Sequence, residues 1–305
     1  MAATAAKSLE YEVDLEDVEY LRHGDTPLLA RLFKPRGNGP FPAVVELHGG
    51  AWCLGDRLQD SSINEKLARK GILVAALDFR VPPAASYPGS AIDINYGIRW
   101  LKRESANLGT RAEMVCTFGI SSGGHLAMLL GMRPQDQRYC AIPVTGSNAD
   151  AKVRGVIMGA PVINPLGRYR YAKQLKESGK SYPEFVDLVL PLHDKYWKTE
   201  EAMAEGNPVM ALERGERVEL PPVLYIQDSR DIVHPRPQLE HFVELYRKAG
   251  GHVDLELSEG AADAFVPRNP PQAVARAFEK RDPSSPQAMR TVEKMIAFVH
   301  EHTAT

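Results

Sequence analysis

Cys116-Thr117-Phe118-Gly119-Ile120-Ser121-Ser122-Gly123-Gly124-His125 decides how the rest of this 305-residue chain is read. An apolar run, Met114 to Phe118, leads straight into Gly-x-Ser-x-Gly, and Leu126-Ala127-Met128-Leu129-Leu130 then opens a helical pattern. Strand, sharp turn and helix are expected in that order. Gly119 and Gly123 suit so sharp a turn because a side chain at either position would collide with the neighbouring strand and helix, leaving Ser121 exposed at the tip as a candidate nucleophile. The pentapeptide by itself also occurs in loops that carry only a surface serine, so its flanks must decide.

Upstream, Ala43-Val44-Val45-Glu46-Leu47 and Ile72-Leu73-Val74-Ala75-Ala76-Leu77 are short, apolar and bounded by Pro or Gly, the pattern of strands buried on both faces of a parallel sheet. Helical spacing over 63–70 and 91–103 alternates with them, which indicates an α/β arrangement with helices on both faces. Val13 to Lys34 holds two alternating segments around Gly24-Asp25 and reads as an antiparallel hairpin. Residues 1–12 read as a mobile end or a short lid element. Downstream, a strand is expected at 153–158, and sheet order is then suspended. From about 164 to 217 the sequence is rich in Tyr, Lys and Glu with short helical stretches at 182–192 and 199–205, which we read as a helical cap inserted over the strand ends. Strand 222–227, helix 238–248, strand 253–257 and a terminal helix at 287–302 complete a single domain over 1–305.

With 37 basic and 39 acidic residues the formal net charge is -2, which gives no long-range field to attract nucleic acid or an anionic membrane. A small molecule is the expected partner. Cys53, Cys116 and Cys140 are odd in number and widely spaced, without a metal-ligand pattern, which points to a reducing, cytoplasmic setting. No leader-like start and no run of 18 apolar residues occurs in the sequence. Oligomeric state is left open, a homodimer being one option.

Acyl transfer through serine needs a nucleophile, a base oriented by an acid, and N–H donors where the oxyanion forms. Ser121 supplies the first. The strand at 43–47 ends in His48-Gly49-Gly50-Ala51-Trp52, whose glycines free backbone N–H groups for a ligand, so Gly49, Gly50 and Ala51 with Ser122 are the expected oxyanion hole. His48 and Trp52, beside that loop, are the expected substrate-binding residues. For the acid, Asp231 in Gln227-Asp228-Ser229-Arg230-Asp231-Ile232-Val233 is preferred to Asp228, whose alternative role is to cap the turn. The aromatic cap residues are read as packing, and the basic ones, Arg168, Arg170 and Lys173, as a solvated face unless they meet an anionic substrate.

Together, His48-Gly49-Gly50-Ala51-Trp52, Asp78-Phe79-Arg80 with Tyr87-Pro88, Gly119-Ile120-Ser121-Ser122-Gly123-Gly124 and Asp231-Ile232-Val233 resemble the α/β-hydrolase fold, specifically the hormone-sensitive-lipase-like carboxylesterases, over about residues 28–300. The resemblance implies an eight-stranded, mostly parallel sheet, a helical cap, no metal or cofactor, and hydrolysis of short acyl esters. One departure stands out. Such esterases carry the base histidine after the last strand in a glycine-alanine-x-histidine-x-phenylalanine pattern, and this chain reads Gly260-Ala261-Ala262-Asp263-Ala264-Phe265, with Asp263 in the histidine slot. A carboxylate with a reference pKa near ~4 is a weak base and cannot relay a proton as imidazole does, so impaired turnover is the expectation. His234, three residues past Asp231, is the nearest substitute; His125 is expected to pack or hydrogen-bond beneath the sheet, and His241 and His252 lie in a helix and at the far end of the last strand. The function read here is a serine carboxylesterase acting on an ester, amide or carbamate. The alternatives are a ligand-binding pseudoenzyme, or lyase or cyclase chemistry on the same scaffold.

Overall fold

Alternate residues of each central strand are divided between two apolar layers, which is why these strands are apolar throughout. Val44, Val74, Ala76, Cys116 and Phe118 face one layer, and Ala43, Val45, Leu47, Leu73, Ala75 and Leu77 face the other. The computed structural model describes residues 10–258 and 285–304, and among these eight strands form one sheet. They are β1 (Val13–His23), β2 (Thr26–Pro35), β3 (Ala43–Leu47), β4 (Leu73–Leu77), β5 (Val115–Ile120), β6 (Val156–Gly159), β7 (Val223–Asp228) and β8 (Val253–Ser258). Their order is β1-β2-β4-β3-β5-β6-β7-β8. β1 pairs with β2, and β2 with β4, in antiparallel fashion; every other pairing is parallel. The hairpin expected around Gly24-Asp25 is β1–β2, and Gly24 turns it with a φ of 57°.

Helices cover both faces. The layer that includes Val44 and Phe118 is closed by α1 (Ser61–Arg69), through Ile63 and Leu67, and by the C-terminal helix α9 (Pro286–Thr303), through Val292, Met295 and Val299. On the opposite face lie α2 (Gly89–Arg103), α3 (Ser122–Met132) and α8 (Arg236–Lys248). The suspension of sheet order between β6 and β7 is a helical excursion: α4 (Pro165–Glu177), α5 (Phe185–Trp197), α6 (Glu200–Glu205) and α7 (Pro208–Glu213). Part of α4 and α5 forms a separate small core of Ala172, Phe185, Val186, Val189 and Leu190. The expected strand at 153–158 begins later, at Val156. Before that point the chain already runs alongside β5, with Arg154 N–H donating to Val115 O and Thr117 N–H to Gly155 O.

Of the segment read as a mobile end or lid, residues 10–12 are described, and they lie away from the strand ends that matter. Tyr11 N–H donates to Arg69 O, and the Tyr11 ring meets Phe41 edge to face, so this piece packs at the N-terminal edge of β3 and β4. Ser121 is at the C-terminal edge, where ligands of open α/β sheets bind. No described helix is long and apolar enough to cross a membrane.

Candidate active site

The elbow is built by contact between backbones. A Cβ on Gly123 would come 2.0 Å from Leu47 O and 2.6 Å from His48 O, and one on Gly119 would come 2.4 Å from the Gly123 carbonyl. Only glycine lets β5 turn into α3 this close to the end of β3. Ser121 takes the strain, with φ 55° and ψ -115°, in a region that a residue with a side chain rarely adopts. Three backbone bonds hold it there: its N–H donates to Gly159 O at 2.8 Å, and its carbonyl accepts from His125 N and Val162 N, both at 3.1 Å.

Because Gly123 touches the end of β3, the loop that follows β3 lies beside the nucleophile. This loop turns through three successive residues of positive φ, Gly50 (118°), Ala51 (49°) and Trp52 (61°), and Gly50 O accepts from both Cys53 N and Leu54 N. Among the described residues no hydrogen bond uses the backbone N–H of Gly49, Gly50, Ala51 or Ser122. Ser122 starts α3, where N–H groups are free and the helix dipole favours negative charge. These donors are what an oxyanion requires.

His48 and Trp52, expected to touch substrate, are placed as supports for this loop. The His48 ring is 2% exposed, stacks on Phe79 at 4.0 Å and donates from Nδ1 to Gly49 O. Trp52 is 1% exposed, with Tyr196 stacked on it and His125, His193 and Trp197 edge-on. The cap thus reaches down to the oxyanion loop through aromatic packing, which explains why aromatic residues cluster in that part of the sequence. Trp52 Nε1–H donates to His125 Nδ1 at 3.0 Å, and His125 Nε2–H therefore donates to Gly206 O at 2.7 Å, fixing one neutral tautomer. Burial pushes the His125 pKa down to about 4, and burial also lowers those of His48 and His193. Depressed folded-state values mean that stability is complete above the unfolded value near ~6.5 and is lost as pH falls toward the folded value. The unfolding free energy from urea titrations is accordingly expected to fall between pH 6.5 and 4, by on the order of 2–3 kcal/mol for His125. His125→Asn should be less stable at pH 7 but flatter over that interval; an equally steep profile would assign the loss to other groups.

Asp231 and His234 complete the constellation. Asp231 Oδ1 accepts from the backbone N–H of Val233 at 2.8 Å and of His234 at 3.1 Å, and its Oδ2 accepts from His234 Nδ1 at 2.8 Å. One carboxylate therefore both folds the turn after β7 and orients the imidazole. Gln227 Nε2 donates to His234 O, and Pro235 favours an extended residue before it, which together fix the ring's base. His234 Nε2 then lies 3.3 Å from Ser121 Oγ. The Asp231 carboxylate is fully buried and the imidazole 6% exposed, a low-dielectric setting in which these bonds are strong.

Of the two acid candidates, Asp228 accepts from Arg230 N at 2.8 Å, the turn-capping bond, whereas Asp231 meets a histidine. Asp263 lies outside the described residues. The base candidate that stands next to Ser121 is His234, which the sequence had offered only as a substitute. His241 pairs with Glu213 on the surface and His252 with Asp254, both far from this chemistry. Cys116 is buried, its thiol pushed up to about 12, and it takes no part.

Comparison with known proteins agrees with this architecture. The esterase LipC of Mycobacterium tuberculosis is 27% identical over 231 residues, 74% of this chain and 53% of that protein. Ethyl acetate hydrolase of Pseudomonas putida is 32% identical over 126 residues, covering 40% of this chain and 39% of its own. The chain spans about half or less of the length of such curated relatives. Among solved structures, the hyperthermophilic esterase of the archaeon Pyrobaculum calidifontis superposes with a TM-score of 0.71 at 20% identity, over 96% of this chain and 87% of its own. A phosphonate-inhibited esterase B of Lactobacillus rhamnosis gives 0.70 at 21%, over 95% and 86%. These likenesses establish the α/β-hydrolase fold. The BD-FAE family model matches residues 32–245, well over half of the chain, from β2 through the Asp231–His234 turn into α8. By that match the chain belongs to the BD-FAE family.

Proposed function

We propose that this chain is a serine carboxylesterase in which His234, and not the residue in the slot after β8, is the base. The observation that carries the reading is the continuous path Ser121 Oγ, His234 Nε2, His234 Nδ1, Asp231 Oδ2, with separations of 3.3 and 2.8 Å. It follows the chain order nucleophile, acid, base that α/β-hydrolases use, with the last two drawn together into one turn.

In this reading Ser121 Oγ attacks the ester carbonyl carbon as its proton passes to His234 Nε2. Asp231 holds the ring in the Nδ1–H tautomer and stabilises the imidazolium. The carbonyl electrons move onto oxygen, which the N–H groups of Gly50, Ala51 and Ser122 receive. Collapse breaks the C–O bond to the alcohol, which takes the proton back from Nε2. Water then repeats the sequence on the acyl-Ser121 ester, releasing the acid. A separation of 3.3 Å between base and nucleophile suits a site without substrate, where such bonds are long. A small ester is the expected substrate class, in keeping with the names of the relatives.

Hydrolysis of p-nitrophenyl butyrate near pH 7.5, with covalent labelling by an alkyl phosphonate, tests the reading. Ser121→Ala should abolish both the label and the turnover. Native turnover no faster than that of Ser121→Ala would overturn it in favour of a pocket that binds without cleaving.

A further inference from the structure

α4 carries a charge that the proposed hydrolysis does not use. Arg168 is in the first turn, held by its N–H to Asn164 O at 2.9 Å, and Asn164 in turn caps Gly167 N and accepts from Asn207 Nδ2. The side chain is 1% exposed, and its guanidinium carbon lies 5.5 Å from the centre of the Trp52 ring, over the oxyanion loop. Among the described residues neither Nε nor Nη2 has a hydrogen-bond partner. The other two basic cap residues differ: Arg170 pairs with Glu200 and Lys173 lies over Tyr169, both at the surface.

Those two nitrogens form the edge of the guanidinium that grips a carboxylate with two parallel bonds. Elsewhere in this chain Arg22 meets Glu19, Arg31 meets Asp17 and Arg80 meets Asp93 by that same Nε/Nη2 edge. In Arg168 the edge is buried and unpaired. Burial pushes its pKa down to about 9, so it stays a cation at neutral pH, and the field of Asp231 opposes that fall. Among the described residues no hydrogen bond joins the two, the Asp231 oxygens being turned to His234 and two backbone N–H groups, so Asp231 acts on Arg168 through its field alone. A buried, unpaired cation is costly for folding alone.

We propose that Arg168 receives a carboxylate carried by the substrate, so that the site selects esters bearing a second, free acid group. The proposal rests on the hydrolase reading for its substrate, but the empty edge is independent of it. Bidentate pairing of the free acid with Arg168 would hold the ester end beside Ser121, and it would supply the hydrogen-bonded partner that the Nε/Nη2 edge lacks.

Monoethyl esters of succinate, glutarate and adipate, each compared with its diethyl ester by ethanol release, test this. The native chain should favour at least one monoester by about tenfold or more in kcat/KM. Arg168→Met should remove about 100-fold of the monoester kcat/KM, mainly through KM, and leave the diethyl ester within about threefold. It should also melt no lower than the native chain, since a strained charge is replaced by an apolar side chain of similar length. Arg168→Lys should recover part of the preference, and it serves if the methionine variant fails to fold. Calorimetry with Ser121→Ala and the monoesters reads binding without turnover, so absence of hydrolysis would defeat the proposed function and leave this test standing. No monoester preference in the native chain, an equal loss on both esters, or a lower melting temperature in Arg168→Met would each overturn the assignment and make Arg168 a structural counter-charge to Asp231.

Discussion

His234→Ala is expected to lower kcat/KM for p-nitrophenyl butyrate by about 10⁴-fold, while Asp263→His changes it by no more than about threefold. Alanine removes the one imidazole that touches Ser121 Oγ, yet it leaves the turn intact, because Asp231 Oδ1 caps the backbone N–H groups of residues 233 and 234 and not the ring. What survives is catalysis by the oxyanion donors and by binding, which is still well above the rate in water. Residues that act as one unit lose their effect together, so Ser121→Ala/His234→Ala should be no slower than either single variant. Melting temperatures close to native would confirm that the loss is chemical. The opposite pattern, a gain of several orders of magnitude in Asp263→His with His234→Ala nearly silent, would put the base after β8 and return Asp263 to the role of a disabled histidine position.

The difference between those outcomes reflects what a sequence exposes. β3, β4 and β5 were legible because each is a short apolar run that only two-sided burial can satisfy, and the elbow was legible because a Cβ at 123 or 119 would come within 2.0 or 2.4 Å of neighbouring backbone, which demands glycine there. The proposed base was harder. Reading it from its usual place after the last strand led to Asp263, whereas His234 meets Asp231 across three residues in a turn. The local signal was present in Asp231-Ile232-Val233-His234-Pro235: an aspartate placed to cap the N–H groups that follow, and a proline that straightens the residue before it. Trp52 and Arg168 were illegible for another reason. Trp52 is enclosed by Tyr196 and Trp197 and Arg168 lies over Trp52, all pairs distant along the chain, so neither an aromatic beside a glycine loop nor an arginine in a polar helix reveals that it will be enclosed.

Asp231→Asn should cost about 10³–10⁴-fold in kcat and, unlike His234→Ala, about 2 kcal/mol of stability as well. The asparagine carbonyl can keep both backbone bonds of the turn. Its amide nitrogen, however, then faces His234 Nδ1, and as a donor it requires a bare Nδ1, which moves the ring proton to Nε2. An imidazole protonated at Nε2 cannot accept the proton of Ser121, so the ring remains in place with the wrong end free. The loss of stability has a separate origin: Arg168, buried, loses the carboxylate whose field supports its charge. Combining Asp231→Asn with Arg168→Met should therefore restore the urea midpoint most of the way to native while leaving kcat as low as in Asp231→Asn. A double variant no more stable than Asp231→Asn would mean that the two charges do not act on one another, and that the destabilisation comes from the turn itself.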